Sequence, residues 1–229
     1  MRWTHYRIAR ERMVREQLYE RGVRDRRVLD AMLRVPRHVF LGQDAGSEAY
    51  ADHSFPIGFQ QTMSQPYMVA YLTEQLRLAG GERVLEIGTG SGYHAAVLAI
   101  MAAEVYTVER IPELAERAVC ALHDLLFTNV QVRAGDGSAG WADAAPFDRI
   151  LLTAASRSVP TALLRQLADG GMLVGPVIKE DGRQEIVRVT RSGQSFSVER
   201  LRECTFVPMV RGAEGGGAAV TRRGEPRGR

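Results

Sequence analysis

The sequence of 229 residues predicts an α/β protein with a doubly wound, Rossmann-like sheet, an N-terminal helical addition and C-terminal antiparallel strands. First, residues 83–87 form an apolar strand that is followed by closely spaced glycines and an alanine-rich helix over residues 93–103. Second, short apolar segments alternate with amphipathic helices as far as residue 177, as in a chain of βαβ units. Third, residues 184–190 and 194–201 alternate in polarity on either side of Ser192-Gly193, which is typical of a hairpin.

Two amphipathic helices are predicted ahead of the sheet. The first covers residues 7–20 and ends at Gly22, and the second is capped by Asp25. Their apolar stripes consist of Ile8, Met13, Val14 and Leu18 in the first and Val28, Leu29, Met32 and Leu33 in the second. Residues 41–56 resemble a loop. This part of the chain is too short for a core of its own, so we expect residues 1–56 to be a helical extension packed on a main domain of residues 57–211.

Polar side chains are concentrated just before the first strand of the predicted sheet. Four of them can form hydrogen bonds within a few residues of one another: Gln60, Gln61, Thr62 and Ser64. Ser64 followed by Pro66 is also a favourable helix start, with the hydroxyl as N-cap and proline in the first turn of a helix that runs to about Leu78. The residues alone therefore leave two interpretations of Ser64 open, a helix cap and a member of a site.

The turn after the first strand has an acidic-x-Gly-x-Gly-x-Gly pattern from Glu86 to Gly92. A dinucleotide-binding turn of the form G-x-G-x-x-G would need glycine at position 93, where this chain has Tyr93. The observed spacing is typical of S-adenosylmethionine-dependent methyltransferases, in which the turn approaches the amino-acid tail of the cofactor. A glycine-rich turn without a ligand is the alternative.

Acidic residues follow two further strands of the unit. Glu109 ends a predicted strand at residues 104–109, 21 residues after Gly88, where a carboxylate can accept from both hydroxyls of a ribose. An exposed glutamate at a strand end is the alternative. Asp136 lies between two glycines, so it either forms a turn or accepts from the exocyclic amine of adenine. The other predicted strands are 129–133, 147–153, 172–177 and 205–210, with helices at 112–125 and 160–167.

Positive charge is confined to the two ends of the chain. Residues 1–37 carry 11 arginines against 5 acidic residues, residues 211–229 carry 5 against 2, and the remainder carries 14 basic and 20 acidic residues. An acidic body argues against a nucleic-acid partner. The glycine- and arginine-rich residues 212–229 are predicted to be a disordered basic tail.

Compartment and metal binding are constrained by composition as well. The N-terminus lacks an apolar core, so we predict no signal peptide and no membrane partner, and expect a cytoplasmic protein. Cys120 and Cys204 lie far apart without a metal-ligand spacing, so the sequence predicts no metal site.

Several separated motifs make the chain resemble the protein-L-isoaspartate O-methyltransferase family. The resemblance covers roughly residues 7–211. The most specific segments are Gln61-Thr62-Met63-Ser64-Gln65-Pro66 and Phe206-Val207-Pro208-Met209, and the others are Val35-Pro36-Arg37-His38-Val39-Phe40, Pro56-Ile57-Gly58, residues 84–93, Val108-Glu109-Arg110 and Gly135-Asp136-Gly137. The glycine motif alone is shared by many methyltransferases.

The resemblance implies a class I S-adenosylmethionine-dependent methyltransferase domain over residues 57–211, with the α-carboxylate of isoaspartyl residues in proteins or peptides as methyl acceptor. Ser64 is then the catalytic residue. The implied substrate-binding residues are Gln61, Thr62, Ser64 and Met209. The implied cofactor-binding residues are Thr62, Met63, Tyr67, Glu86, Gly88, Thr89, Gly90, Ser91, Glu109, Arg110, Asp136 and Gly137. We expect a monomer.

Two features depart from the family pattern. Many bacterial members have glycine where this chain has Gln60, and the tail after Arg211 has no counterpart. A methyltransferase acting on a modified peptide, RNA or a small molecule is the alternative activity, and a cofactor-binding module without catalysis is the alternative of another class.

Overall fold

A seven-stranded sheet forms the centre of the computed structural model, which describes residues 2–41, 43–210 and 212. Its strands are β3 (Arg83–Ile87), β4 (Glu104–Glu109), β5 (Val130–Ala134), β6 (Phe147–Leu152), β7 (Leu167–Ile178), β8 (Gln184–Ser192) and β9 (Ser195–Cys204). Their order across the sheet is β5-β4-β3-β6-β7-β8-β9. Strands β5 to β7 run parallel, whereas β8 and β9 are antiparallel. The predicted doubly wound sheet with antiparallel C-terminal strands is confirmed.

Strand β3 lies between β4 and β6, at the point where the chain changes direction along the sheet. In open α/β sheets, ligands bind at this switch point, outside the carboxyl ends of the strands. Four of the five β3 residues are buried, because parallel strands are covered by helices on both faces. The end of β3 is therefore the expected location of a site.

Within the described residues, six α-helices surround or precede the sheet: α1 (Arg2–Arg12), α2 (Arg26–Arg34), α3 (Pro66–Gln75), α4 (Tyr93–Met101), α5 (Pro112–Asp124) and α6 (Thr161–Gln166). Helix α4 follows the glycine turn and begins after Gly92, whose φ of 89° requires a residue without a β-carbon. Eight of its nine residues are buried, which agrees with its uniformly apolar sequence.

The first helix starts earlier than predicted, and it changes from an α-helix to a π-helix along its length. Helix α1 begins at Arg2 and continues into π-helical turns over Met13–Tyr19, rather than spanning residues 7–20. Asp25 caps α2 as predicted, because its side chain accepts from the amide of Arg27. The apolar side chains of this region share one core with helices α3 and α4, including Met13, Leu18, Met32, Leu72 and Leu98. The predicted boundary at residue 56 falls inside a strand, and the division into extension and domain stays a prediction.

A small antiparallel hairpin was absent from the sequence prediction. It pairs β1 (Phe55–Gly58) with β2 (Gln61–Met63) through a two-residue turn. Both turn residues, Phe59 and Gln60, have positive φ angles of 52° and 57°. Such turns usually carry Asn-Gly or Asp-Gly, so this sequence lacks the signal that would have identified the hairpin.

The predicted last strand at residues 205–210 is wrong. Only Pro208 forms an isolated bridge, to Ala155. The amide of Ala155 donates to Val207 (2.8 Å), and the amide of Met209 donates to Ala155 (2.7 Å). Both bonds to Ala155 come from the residues on either side of Pro208, and they do not continue into a regular ladder.

Most of the predicted tail, residues 213–229, lies outside the described residues. Within the part of the chain that is described, no helix is long and apolar enough to cross a membrane.

Candidate active site

A cavity lies at the carboxyl end of β3, where the sequence placed the glycine turn. It is bounded by that turn, the β1–β2 hairpin, the end of β4 and the segment around Pro208. Its lining includes twelve predicted site residues: Gln61, Thr62, Met63, Ser64, Gly88, Thr89, Gly90, Ser91, Glu109, Arg110, Gly137 and Met209. Sequence positions up to 148 residues apart thus meet at one edge of the sheet.

The main chain of the turn approaches its neighbours so closely that side chains are excluded. Gly88 has a φ of 99°, and a β-carbon there would lie 2.3 Å from the hydroxyl oxygen of Thr153. That hydroxyl is directed at the carbonyls of Ile87 (2.9 Å) and Gly88 (2.7 Å). A β-carbon on Gly137 would similarly lie 2.4 Å from Cγ2 of Ile87. These glycines form a backbone cradle that suits the close approach of a nucleoside ligand.

Glu109 closes the cradle on the β4 side. Its carboxylate accepts from the amide of Gly90 at 2.8 Å and from the amide of Ile111 at 3.0 Å. Each carboxylate oxygen has a second lone pair, so two further hydrogen bonds can be accepted from a ligand. The side chain is buried yet lines the cavity, which is unlike the exposed glutamate of the alternative interpretation.

Glu86 lies beneath the cavity instead of lining it. Its carboxyl accepts from the hydroxyl of Thr107 at 2.6 Å, and that hydroxyl contacts the hydroxyl of Thr89, also at 2.6 Å. Complete burial raises the pKa of Glu86 to about 8, with the nearby Glu109 charge adding to the effect. The carboxyl is therefore protonated at neutral pH, and it supports Thr89 from below.

The raised pKa of Glu86 makes the stability of the folded protein depend on pH. The folded protein keeps the Glu86 proton up to about pH 8, whereas the unfolded chain loses it near 4.5. Because the unfolded state binds fewer protons in this window, the free energy of unfolding should fall as pH rises, by up to about 1.4 kcal/mol per pH unit. Glu86→Gln should remove that slope and should be more stable than the wild type at pH 8.

Urea unfolding at several pH values between 5 and 8 measures how the free energy of unfolding depends on pH in the wild type and in Glu86→Gln. The exposed Glu113→Gln serves as the matched control, because Glu113 lies in the first turn of α5 and is not buried. Equal slopes in the wild type and Glu86→Gln would show that Glu86 is ionised in the folded protein.

Ser64 does not cap helix α3, and that prediction is wrong. The N-cap residue is Gln65, and no side chain forms a cap hydrogen bond there. Pro66 occupies the first turn as predicted, which reduces the need for a cap because proline has no amide to satisfy. Ser64 instead lines the cavity, in keeping with the second interpretation of this residue.

A buried arginine holds the main chain at Ser64. Arg37 Nη2 donates to the carbonyl of Ser64 and Nε donates to the carbonyl of Ala49, both at 2.7 Å. The guanidinium lies 4.8 Å from the ring centre of Tyr93. Burial lowers the pKa of Arg37 to about 10, so the group remains charged at neutral pH. One sequence feature could have indicated this residue, namely an arginine inside the apolar segment of residues 35–40.

His94 lines the cavity, and the sequence interpretation missed it. It is buried at the start of α4, and its Nε2 is 2.9 Å from the hydroxyl of Thr73, which donates to the carbonyl of Val69. Burial lowers the pKa of His94 to about 3, so the ring is neutral. At neutral pH the uncharged ring lines the cavity and is held by Thr73.

A wider groove opens from the cavity at Ser64. It shares Thr62, Ser64, Thr153 and Val207 with the cavity and extends between α3 and the end of β9. Tyr67 lines this groove and not the cavity, where a cofactor contact was predicted for it. The reason is its position at the start of α3, which directs its hydroxyl toward Arg202 of β9.

Asp136 also lies outside the cavity lining. Its carboxylate accepts from the amide of Ser138 at 2.8 Å and so begins the 3₁₀ turn Gly137–Ala139, and it also accepts from the amide of Gly212 at 2.9 Å. The turn interpretation of Asp136 is therefore confirmed. Its neighbour Gly137 reaches the cavity.

Known proteins share both the sequence and the fold of this chain. The sequence profile of the family described as Protein-L-isoaspartate(D-aspartate) O-methyltransferase (PCMT) matches residues 9–214. A relative from Geotalea uraniireducens, named Protein-L-isoaspartate O-methyltransferase 2, is 53% identical over 205 residues, which is 89% of this chain and 94% of the relative.

Two solved structures agree with this family. One, named protein-L-isoaspartate O-methyltransferase, superimposes with a TM-score of 0.77 at 29% identity and covers 94% of this chain and 66% of its own. The other, a Plasmodium falciparum protein described with the same enzyme name and in complex with S-adenosyl-L-homocysteine, has a TM-score of 0.78 at 24% identity and covers 88% of this chain and 98% of its own. The similarity to the Plasmodium falciparum structure is evidence for the fold alone.

Proposed function

The chain belongs to the protein-L-isoaspartate(D-aspartate) O-methyltransferase family, and from this membership we infer how its site performs the reaction. It is an S-adenosylmethionine-dependent enzyme that transfers a methyl group to the α-carboxylate of L-isoaspartyl residues in damaged proteins or peptides. The observation that carries the assignment of roles is the placement of Ser64 in one cavity with the glycine cradle and Glu109.

We propose that the cradle and Glu109 hold the cofactor. Gly88, Gly90 and Gly137 leave room at the main chain, and the two free lone pairs of Glu109 suit the paired hydroxyls of a ribose. When bound, S-adenosylmethionine supplies an electrophilic methyl group on a positively charged sulfur. Thr62, Met63, Thr89, Ser91 and Arg110 complete the proposed cofactor contacts.

Ser64 is the proposed catalytic residue. An α-carboxyl group has a pKa of about 3.3–3.7 and is already ionised at neutral pH, so no proton has to be removed before the transfer. The Ser64 hydroxyl donates to one carboxylate oxygen and leaves the other directed at the methyl group. Alignment of this kind can contribute about 7–11 kcal/mol. Gln61, Thr62 and Met209 also line the cavity, and they complete the proposed acceptor site.

Labelled-methyl transfer to paired peptides tests the function. The two peptides share one sequence and carry aspartate or isoaspartate at a single position. We expect label only in the isoaspartyl peptide. Equal labelling of both peptides, or labelling of tRNA or a small molecule in place of either, would favour the alternative methyltransferase activities. Cofactor binding without any methyl transfer would favour the non-catalytic module.

Removal of the Glu109 carboxylate is expected to weaken cofactor binding. Glu109→Gln keeps the side-chain length but loses the charge and one acceptor, and hydrogen bonds to charged groups contribute about 1.5–3 kcal/mol. The Kd for S-adenosylmethionine, measured by calorimetry, should therefore rise about tenfold to a hundredfold. Glu113→Gln, on the exposed side of α5, should leave it unchanged. If the Kd of Glu109→Gln is unaltered, Glu109 does not bind the ribose of the cofactor.

The compartment, the oligomeric state and the partners of the protein are proposals as well. We propose a cytoplasmic monomer that acts on polypeptides and has no nucleic-acid partner. The acidic balance of residues 38–210, which carry 14 basic and 20 acidic residues, supports the absence of a nucleic-acid partner. Sedimentation at several protein concentrations tests the monomer, and a salt-dependent association with tRNA would contradict the absence of a nucleic-acid partner.

A further inference from the structure

The groove that opens from the cavity at Ser64 holds an arginine that the proposed reaction does not use. Arg202 lies at the end of β9, exposed on the wall of this groove. Its guanidinium lies 5.0 Å from the ring centres of both Tyr67 and Tyr71, and Nη1 donates to the hydroxyl of Tyr67. The two rings are stacked with an interplanar angle of 19°. The arginine is therefore held in one place on an aromatic platform.

The charges around the groove leave Arg202 without an acidic partner. The other arginine on the groove, Arg21, is paired with Asp52, and Glu203 is paired with Arg183 at 2.7 Å. Among the described residues, no carboxylate lies within ion-pair distance of Arg202. The neighbouring Arg200 differs, because it is 3.3 Å from the carboxylate of Glu185. One uncompensated and preorganised cation thus faces the groove.

We propose that Arg202 is a specificity-determining residue, which binds an acidic side chain of the substrate polypeptide close in sequence to the isoaspartyl residue. This proposal rests on the proposed function, because it takes the groove beyond Ser64 as the path of the polypeptide. One nitrogen of the guanidinium is engaged by Tyr67, and the remaining N–H groups can donate to a carboxylate. A guanidinium that is already oriented loses less freedom when it binds such a group.

Peptides blocked at both ends by acetyl and amide groups test the proposal, because they carry no terminal charges. Each contains one isoaspartyl residue and has glutamate at one of the three positions on either side, and each has a twin with glutamine there. We expect at least one glutamate peptide to have a KM about three- to tenfold lower than its twin at low salt, with kcat unchanged. This difference should shrink in concentrated sodium chloride.

Arg202→Gln should raise the KM of the favoured glutamate peptide to that of its twin and leave the twin unaffected. Arg200→Gln is the matched control on the same strand, and it should preserve the preference. If the wild type methylates both twins with equal KM at every position, or if the preference persists in Arg202→Gln, the proposal is overturned while the function stands. Failure to methylate any isoaspartyl peptide overturns the function and this proposal together.

Discussion

Ser64→Ala is expected to lower kcat about a hundredfold, in the range found when one hydrogen-bond donor to a reacting oxygen is removed. The structure gives this hydroxyl no part in capping α3, since Gln65 occupies the N-cap position. The main chain of Ser64 is held separately, through the bond from Arg37 to its carbonyl. The substitution should therefore leave the fold and the Kd for S-adenosylmethionine nearly unchanged, within about twofold.

Initial rates with an isoaspartyl peptide and calorimetry with the cofactor separate the two effects. Ser197→Ala, on the exposed face of β9, is the matched control and should have the kcat of the wild type. Ser64→Thr offers a hydroxyl with an added methyl group and should recover part of the lost rate. If the kcat of Ser64→Ala equals that of the wild type, the Ser64 hydroxyl takes no part in catalysis.

Gly88→Ala is expected to abolish cofactor binding and to destabilise the protein by about 2–4 kcal/mol. Two costs combine at this position. The φ of 99° is unfavourable for any residue with a β-carbon, and the added carbon would lie 2.3 Å from the hydroxyl of Thr153. The neighbours cannot move easily, because that hydroxyl is bound to the carbonyls of Ile87 and Gly88.

Gly80→Ala is the control that separates these costs. Gly80 has a φ of 115°, and no atom of the described residues lies within 4 Å of a β-carbon built there. Its substitution should incur only the backbone cost and leave the Kd for the cofactor unchanged. Thr153→Ala combined with Gly88→Ala should recover part of the lost stability, because the clashing oxygen is gone. If Gly88→Ala and Gly80→Ala lower the free energy of unfolding equally, the close contact between position 88 and Thr153 does not affect stability.

The sequence predicted the sheet well because buried parallel strands are continuous apolar runs bounded by glycine and proline. It also located the glycine turn and Glu109, since the spacing between the first two strands of a βαβ unit is narrowly constrained. Local patterns were sufficient for these features.

Tertiary contacts decided the features that the sequence missed or misjudged. Arg37 is buried because two distant carbonyls, of Ala49 and Ser64, require a donor, and no local pattern records such a need. Glu86 is at the predicted strand end. Its carboxyl accepts from Thr107 on the neighbouring strand, however, and so lies below the cavity. Tyr67 is likewise drawn to Arg202, 135 residues away in the chain.

A crystal structure with S-adenosyl-L-homocysteine and an isoaspartyl peptide would show whether the glycine cradle and Ser64 serve one reaction. We expect the nucleoside against Gly88, Gly90 and Glu109, with the peptide's α-carboxylate about 2.7 Å from the Ser64 hydroxyl oxygen. A nucleoside bound elsewhere, or a carboxylate that approaches the cofactor sulfur without contacting Ser64, would overturn the roles proposed for these residues.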